Sequence, residues 1–172
     1  MADNEALLTR RAHYMATTPT RYWQDLLPGE RFDTQSITIS RQDILEFAAE
    51  FDPQPYHLNA EAAEDSIFGG LCASGWHVTA LMMRLLTDTF TSRHIDLLGS
   101  NGVSNLRWRK PVFAGDSLSS RITVVDCTAA SADSPFGYIN CDVEVDNQSG
   151  EQVIALVTSL MIGIDGGATH HG

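Results

Sequence analysis

Lysine is almost missing from this chain. Lys110 is its single representative among 172 residues, beside ten arginines. Asp and Glu together number 22 against those 11 cations, giving a formal charge of −11. A surface so short of positive charge excludes a general nucleic-acid interface, which needs a basic face to displace counterions from the phosphate backbone. A small phosphate-bearing ligand needs only a local cluster. Arg107, Arg109 and Lys110 form one; the same three charges would equally suit the solvent side of a strand. Cysteine is scarce too. Cys72, Cys127 and Cys141 lack the spacing of a metal site, and an odd count without a signal peptide fits reduced thiols in the cytoplasm. The first residues lack the apolar core of a secretory signal, and no apolar run is long enough to cross a bilayer. No membrane association, metal or cofactor is expected. His170 and His171 close a loose tail, 166–172, and carry no expected metal role.

What is present is a globular composition, 43% hydrophobic, in a length that suits one domain with a substantial core. Residues 1–20 form a weakly patterned extension, with a possible helix over 5–16. Phe32 to Ile39 alternates imperfectly, with Ile37 and Ile39 on one face, and reads as a first strand. Ser40 with Asp43 three residues on imitates a capping box. Ile44, Phe47, Ala48 and Phe51 then fall at i, i+3, i+4 and i+7, the stripe of an amphipathic helix. Asn59 suits the cap of a short helix over Ala60–Asp65. From Gly75 to about Thr91 the chain is helical and apolar nearly all round (Trp76, Val78, Leu81, Met82, Met83, Leu85, Leu86, Phe90), which predicts a buried rod. Residues 100–109, 116–128, 136–147 and 151–164 read as strands, with turns at Pro111–Asp116 and Asp146–Gly150. Strand, helices, then a run of strands implies an α+β domain over 21–165, an antiparallel sheet packed on one long helix.

The chemistry-bearing stretch is Phe51-Asp52-Pro53-Gln54-Pro55-Tyr56-His57. Proline fixes φ and lacks an N–H, so the helix arriving from residue 41 should stop near Phe51. Residues preceding proline are pushed towards extended conformations, which covers Asp52 and Gln54. On a helix the five-residue spacing would separate Asp52 from His57, whereas a bent, restricted loop can bring them together. Asp and Pro are also ordinary turn formers, and spacing alone supports a plain turn as well. Eighteen residues after His57 comes Ser74-Gly75. Ser74 is a natural N-cap, leaving the Gly75 N–H as an orphan donor at the positive end of a helix dipole, with no side chain to block a ligand oxygen. A carboxylate, an imidazole and such a donor form an acid/base site with oxyanion stabilisation beside it. His77, one turn in, is expected to pack or to support the site.

Asp52-Pro-Gln-Pro-Tyr-His57, Ala62-Ala63, Phe68-Gly-Gly70 and Ala73-Ser-Gly75 resemble the MaoC-like dehydratases, also called R-specific enoyl-CoA hydratases. A second match, Leu106-Arg-Trp-Arg-Lys-Pro111-Val-Phe-Ala-Gly115-Asp116, is similar to that family's strand and Pro-Val-x-x-Gly-Asp turn. The resemblance covers roughly residues 20–164. It implies a hot-dog fold, a curled antiparallel sheet round a long helix, working as a dimer or a double hot dog; the strand edges of such a sheet predict a homodimer or larger even-numbered assembly. It implies reversible hydration of a trans-2-enoyl-CoA to an (R)-3-hydroxyacyl-CoA, with the CoA thioester as substrate. Asp52 and His57 match the family's catalytic pair, and Gly75 its backbone donor to the thioester oxygen. Gln54 stands where most members have Asn, and Ser74 where many have His; both are expected in the substrate site, to which the charge pattern adds Arg107, Arg109 and Lys110. A hot-dog thioesterase or a non-catalytic acyl-thioester-binding subunit are the alternatives.

Overall fold

A computed structural model describes residues 18–166. The helix expected over 5–16, most of the N-terminal extension and the two tail histidines lie outside that range. Among the described residues no helix is long and apolar enough to cross a membrane.

Five strands form one antiparallel sheet: β1 (Arg31–Thr38), β2 (Leu97–Trp108), β3 (Ser117–Ala129), β4 (Phe136–Asp146) and β5 (Gln152–Gly163), in the order β1-β3-β4-β5-β2. Along β3, residues 117–124 alternate strictly between half-buried and buried, with Leu118, Ile122 and Val124 turned inwards. That is the period of a sheet with one covered face. The cover is α4 (Gly75–Ser92), which packs on β1, β2 and β3. Its Val78, Met82, Leu86 and Phe90 are buried with Ile139, Val143, Leu156 and Leu160 from β4 and β5. The predicted α+β architecture therefore holds.

Two expectations about the helices need correction. The long helix is not buried all round: Trp76, Ala80, Arg84 and Asp88, spaced by four, form an exposed stripe, and Arg84 pairs with Asp88 at 2.7 Å. A sheet curled over one side of a rod leaves the other side uncovered within one chain. The segment after Pro53 is not simply a loop. Pro55–Leu58 forms one helical turn, α2, with Pro55 in its first turn, where a missing N–H costs nothing.

The remaining elements match their local signals. In α1 (Arg41–Phe51), Ser40 accepts from the Asp43 N–H while the Asp43 carboxylate accepts from the Ser40 N–H, a complete capping box. The short α3 (Ala60–Glu64) is capped by Asn59, whose side chain accepts from the Ala62 N–H. The turn after β2 is closed by Asp116: one oxygen accepts from the Phe113 N–H and the other from Gln148, each at 2.8 Å. Gly115 takes φ +92 there, a conformation that favours glycine. The same turn reaches the start of α4, since Cys72 bridges Phe113 and the Ala73 N–H donates to the Val112 carbonyl at 2.8 Å.

Candidate active site

Asp52 ends α1 as its C-cap, at φ −150 and ψ 69. Gln54 is extended at φ −81 and ψ 142, as the following proline requires. The chain then turns through α2, and that turn swings His57 back towards Asp52. His57 Nε2 lies 3.6 Å from an Asp52 carboxylate oxygen. This exceeds a direct hydrogen bond, so both groups keep capacity for a third.

Each member of the pair is held separately. His57 is 5% exposed, and its Nδ1 lies 2.7 Å from the Cys72 carbonyl oxygen. A carbonyl can only accept, so Nδ1 carries a proton, and Nε2 is the ring nitrogen that faces Asp52. Gln54 donates to Asp52 at 2.8 Å and accepts from the Tyr56 hydroxyl. The Asp52 carboxyl is held below its ordinary pKa, chiefly by the hydrogen bond from the Ser74 hydroxyl. Partial burial opposes that shift; the Gln54 amide and the positive charge of the protonated form of His57 add to it. Asp52 is thus kept as a carboxylate. Ser74 is buried and also caps α4, accepting from the Trp76 N–H at 3.2 Å. One hydroxyl ties the helix start to the carboxylate.

Asp52, Gln54, Tyr56 and His57 line a cavity of about 350 Å³ with Gly75, whereas Ser74 is not among its lining residues. Its walls are Phe68, Cys72, Ala73, Val78, Val112 and Ile154, with Arg109 and Lys110 among the lining residues. The cavity is therefore apolar with one polar, titratable side, the usual form of a small-molecule site. The Gly75 N–H takes part in none of the hydrogen bonds described for residues 18–166. Gly75 also lies beneath the Trp108 indole: a Cβ there would stand 2.5 Å from Trp108 Cε2. A side chain at 75 would strike that ring first.

The expected three-membered cationic cluster does not converge. Arg109 and Lys110 reach the cavity; Arg107 does not, and its guanidinium hydrogen-bonds the carbonyl of Leu106 at 2.9 Å. Lys110 pairs with Glu151. The parity of a strand would put 107 and 109 on one face, but β2 ends at Trp108. His77 is buried and stacked on Phe47, with ring centroids 4.5 Å apart, in keeping with a packing role. Burial pushes its pKa down, against the charge of Asp43. Tyr56, Trp108 and the Cys72 carbonyl were not singled out in the sequence. Backbone carbonyls leave no mark there, and the two aromatics look like core residues.

A model of the MaoC-like domain matches residues 25–139, and the chain belongs to that family. The uncharacterized protein YdeM of Bacillus subtilis is 33% identical over 99 residues, 57% of this chain and 69% of YdeM. The crystal structure of a MaoC-like dehydratase from Rhodospirillum rubrum is 35% identical, covers 84% of this chain and 98% of its own, and superposes with a TM-score of 0.74. A C-terminally truncated HadBC complex from Mycobacterium tuberculosis, described as a 3R-hydroxyacyl-ACP dehydratase, is 26% identical with a TM-score of 0.65, over 79% of this chain and 97% of that one. The shared architecture is the hot-dog fold.

Proposed function

We propose that this MaoC-like chain is a hydro-lyase that adds water across a trans-2-enoyl-CoA to give an (R)-3-hydroxyacyl-CoA, and runs the reverse dehydration. The observation that carries this is the meeting of an Asp52 carboxyl held below its ordinary pKa, the Nε2 of His57 and the Gly75 N–H in one apolar cavity. Membership of the MaoC-like domain family supports it. The Asp52 carboxylate and Nε2 accept the two hydrogens of one water. As the water oxygen bonds to C3, one proton passes to the pair and the C2–C3 π electrons move towards the thioester oxygen. The Gly75 N–H, at the positive end of α4, stabilises that enolate oxygen. The pair then returns one proton to C2 and is restored. Gln54 and Ser74 hold the carboxylate in place, and Arg109 and Lys110 supply contacts for CoA phosphates. The thioester is the substrate, and no cofactor takes part.

Incubation with crotonyl-CoA tests this. Enoyl-thioester absorbance should fall without release of free thiol. Thiol release would make the chain a thioesterase; neither change would make it a binder, and either result ends the hydratase reading. The working unit is proposed to be a homodimer. The edge strands β1 and β2 offer unpaired backbone, and β2 exposes Leu98 and Val103; such edges call for pairing or cover. Sedimentation showing only monomer at micromolar concentration would refute the dimer.

A further inference from the structure

We propose that Trp108 is a specificity-determining residue: its indole forms the wall beside Gly75 and limits the bulk carried by the α-carbon of the bound acyl group. The proposal rests on the acyl-thioester reading above and adds which acyl groups enter.

Four observations converge on this ring. It lies in van der Waals contact with Gly75 and fills the place of a side chain there, with Cε2, Cδ2 and Nε1 at 2.5, 2.6 and 2.8 Å from a notional Cβ. It lines the same cavity as Asp52 and His57. It is fixed rather than loosely draped: the indole N–H donates to Thr79 Oγ1 at 3.1 Å, and the Thr79 hydroxyl donates to the Gly75 carbonyl at 2.8 Å. Trp76 meets it edge-on, with centroids 5.1 Å apart at 78°. Finally, the strand that presents it is bent for the purpose. The β2–β5 register breaks between Ser104 and Arg107, and Asn105 between them takes φ +54. Bulges of this kind re-aim side chains next to functional sites.

The geometry sets what the ring can sense. A thioester oxygen on the Gly75 N–H sits about 3 Å from that nitrogen. The carbonyl carbon and α-carbon follow within two bonds, beside an indole already touching Gly75. An α-methyl group meets this plate, whereas an unbranched chain can run past it between Val78, Val112 and Ile154. Trp108 is also 48% exposed, so removing it does not open a sealed core.

The test uses two readouts on the full chain. Calorimetry compares binding of butyryl-CoA and 2-methylbutyryl-CoA, which cannot be hydrated; initial rates compare crotonyl-CoA and 2-methylcrotonyl-CoA. Wild type should favour the unbranched member of each pair. Trp108→Ala should narrow that preference about tenfold or more, the usual worth of one methyl group in an apolar site, and Trp108→Phe should narrow it less. Thr79→Val removes the indole's acceptor while keeping the ring, and should narrow it slightly. An unchanged preference in Trp108→Ala, a wild type that does not discriminate, or equal losses for both ligands would overturn the proposal. If Trp108→Ala fails to fold by circular dichroism, an unchanged preference in Thr79→Val and Trp108→Phe overturns it instead. A narrowed binding preference with no turnover in wild type leaves Trp108 standing and removes the hydratase reading. No binding of either saturated CoA removes both.

Discussion

The two ends of α4 are built differently. At its C-terminal end the backbone is closed off locally. The Arg93 N–H donates to the carbonyls of Thr89 and Phe90, Ile95 to Phe90, and His94 to Thr91. His94 takes φ +56, which turns the chain out of the helix. Phe90 is fully buried and tilted on Phe32, with centroids 5.2 Å apart. At the N-terminal end the first N–H makes no hydrogen bond among the described residues, its glycine lies under a half-exposed indole, and Trp76 is 58% exposed. The capping hydroxyl there is shared with a carboxylate rather than devoted to the helix. One end is arranged to stay shut; the other keeps a donor open at some cost in local stability. Stability and chemistry are thus separated along a single helix.

Substitutions can break that separation or sharpen it. The largest effect is expected from Phe90→Ala, which removes a fully buried ring and should destabilise the fold by about 3–5 kcal/mol. Chemical denaturation measures the loss, and the rate per folded molecule should stay near wild type; a rate collapse in folded protein would break the separation. Next come Asp52→Asn and His57→Ala. Each should lower crotonyl-CoA hydration about a hundredfold or more, roughly 2.7 kcal/mol of barrier, in protein that circular dichroism shows to be folded. The double variant should be little worse than the worse single one, because groups that act as a unit are not additive. Near-normal turnover in either single variant would remove that residue from the chemistry.

Ser74→Ala is the smallest and touches both roles. Losing the cap should cost about 1 kcal/mol. Losing the hydrogen bond also lets the Asp52 pKa rise from its depressed position. Asp52 works ionised, so activity falls as pH drops through its folded-state pKa, and the acid limb of the rate profile should move to higher pH in the variant. The same depression makes the ionised carboxylate stabilising above its unfolded pKa, a contribution lost as pH falls through the folded value; the variant should lose part of it. An acid limb that does not move would show that Ser74 does not tune this group.

Much of this was readable in the chain. The capping box of α1 is a purely local signal and appears as such, whereas the i, i+3, i+4, i+7 stripe is buried only at Ile44 and Ala48, with Phe51 65% exposed. The strands show their period, and the two prolines fix where α1 stops. Asp52 and His57 could be paired by chemistry but not placed. Their meeting depends on a helical turn that begins with Pro55, a residue more often read as a breaker, and on a carbonyl of Cys72 that leaves no trace in residue identity. The closeness of Arg107 to Arg109 and Lys110 along the chain groups the three charges, whereas the bulge at Asn105 and the end of β2, which separate them, do not show in sequence. The exposed stripe of α4 was hidden because Trp76 and Ala80 count as apolar whichever way they face.

The bridge between Cys72 and Phe113, and the bond from Ala73 to the Val112 carbonyl, bear on the order in which the molecule can assemble. Asp52 and His57 are neighbours along the chain and can approach one another early. The carbonyl that fixes the imidazole and the hydroxyl that holds the carboxylate both belong to the segment at 72–74. That segment finds its place only against the turn that follows β2, far away in sequence, and long-range closures of this kind are slow because entropy is lost before any contact rewards it. A nascent chain that ends before Phe113 therefore contains every group of the proposed chemistry but not the completed turn against which the segment at 72–74 is placed. Competence to act arrives with the second half of the polypeptide, which contributes no proton donor or acceptor to the reaction.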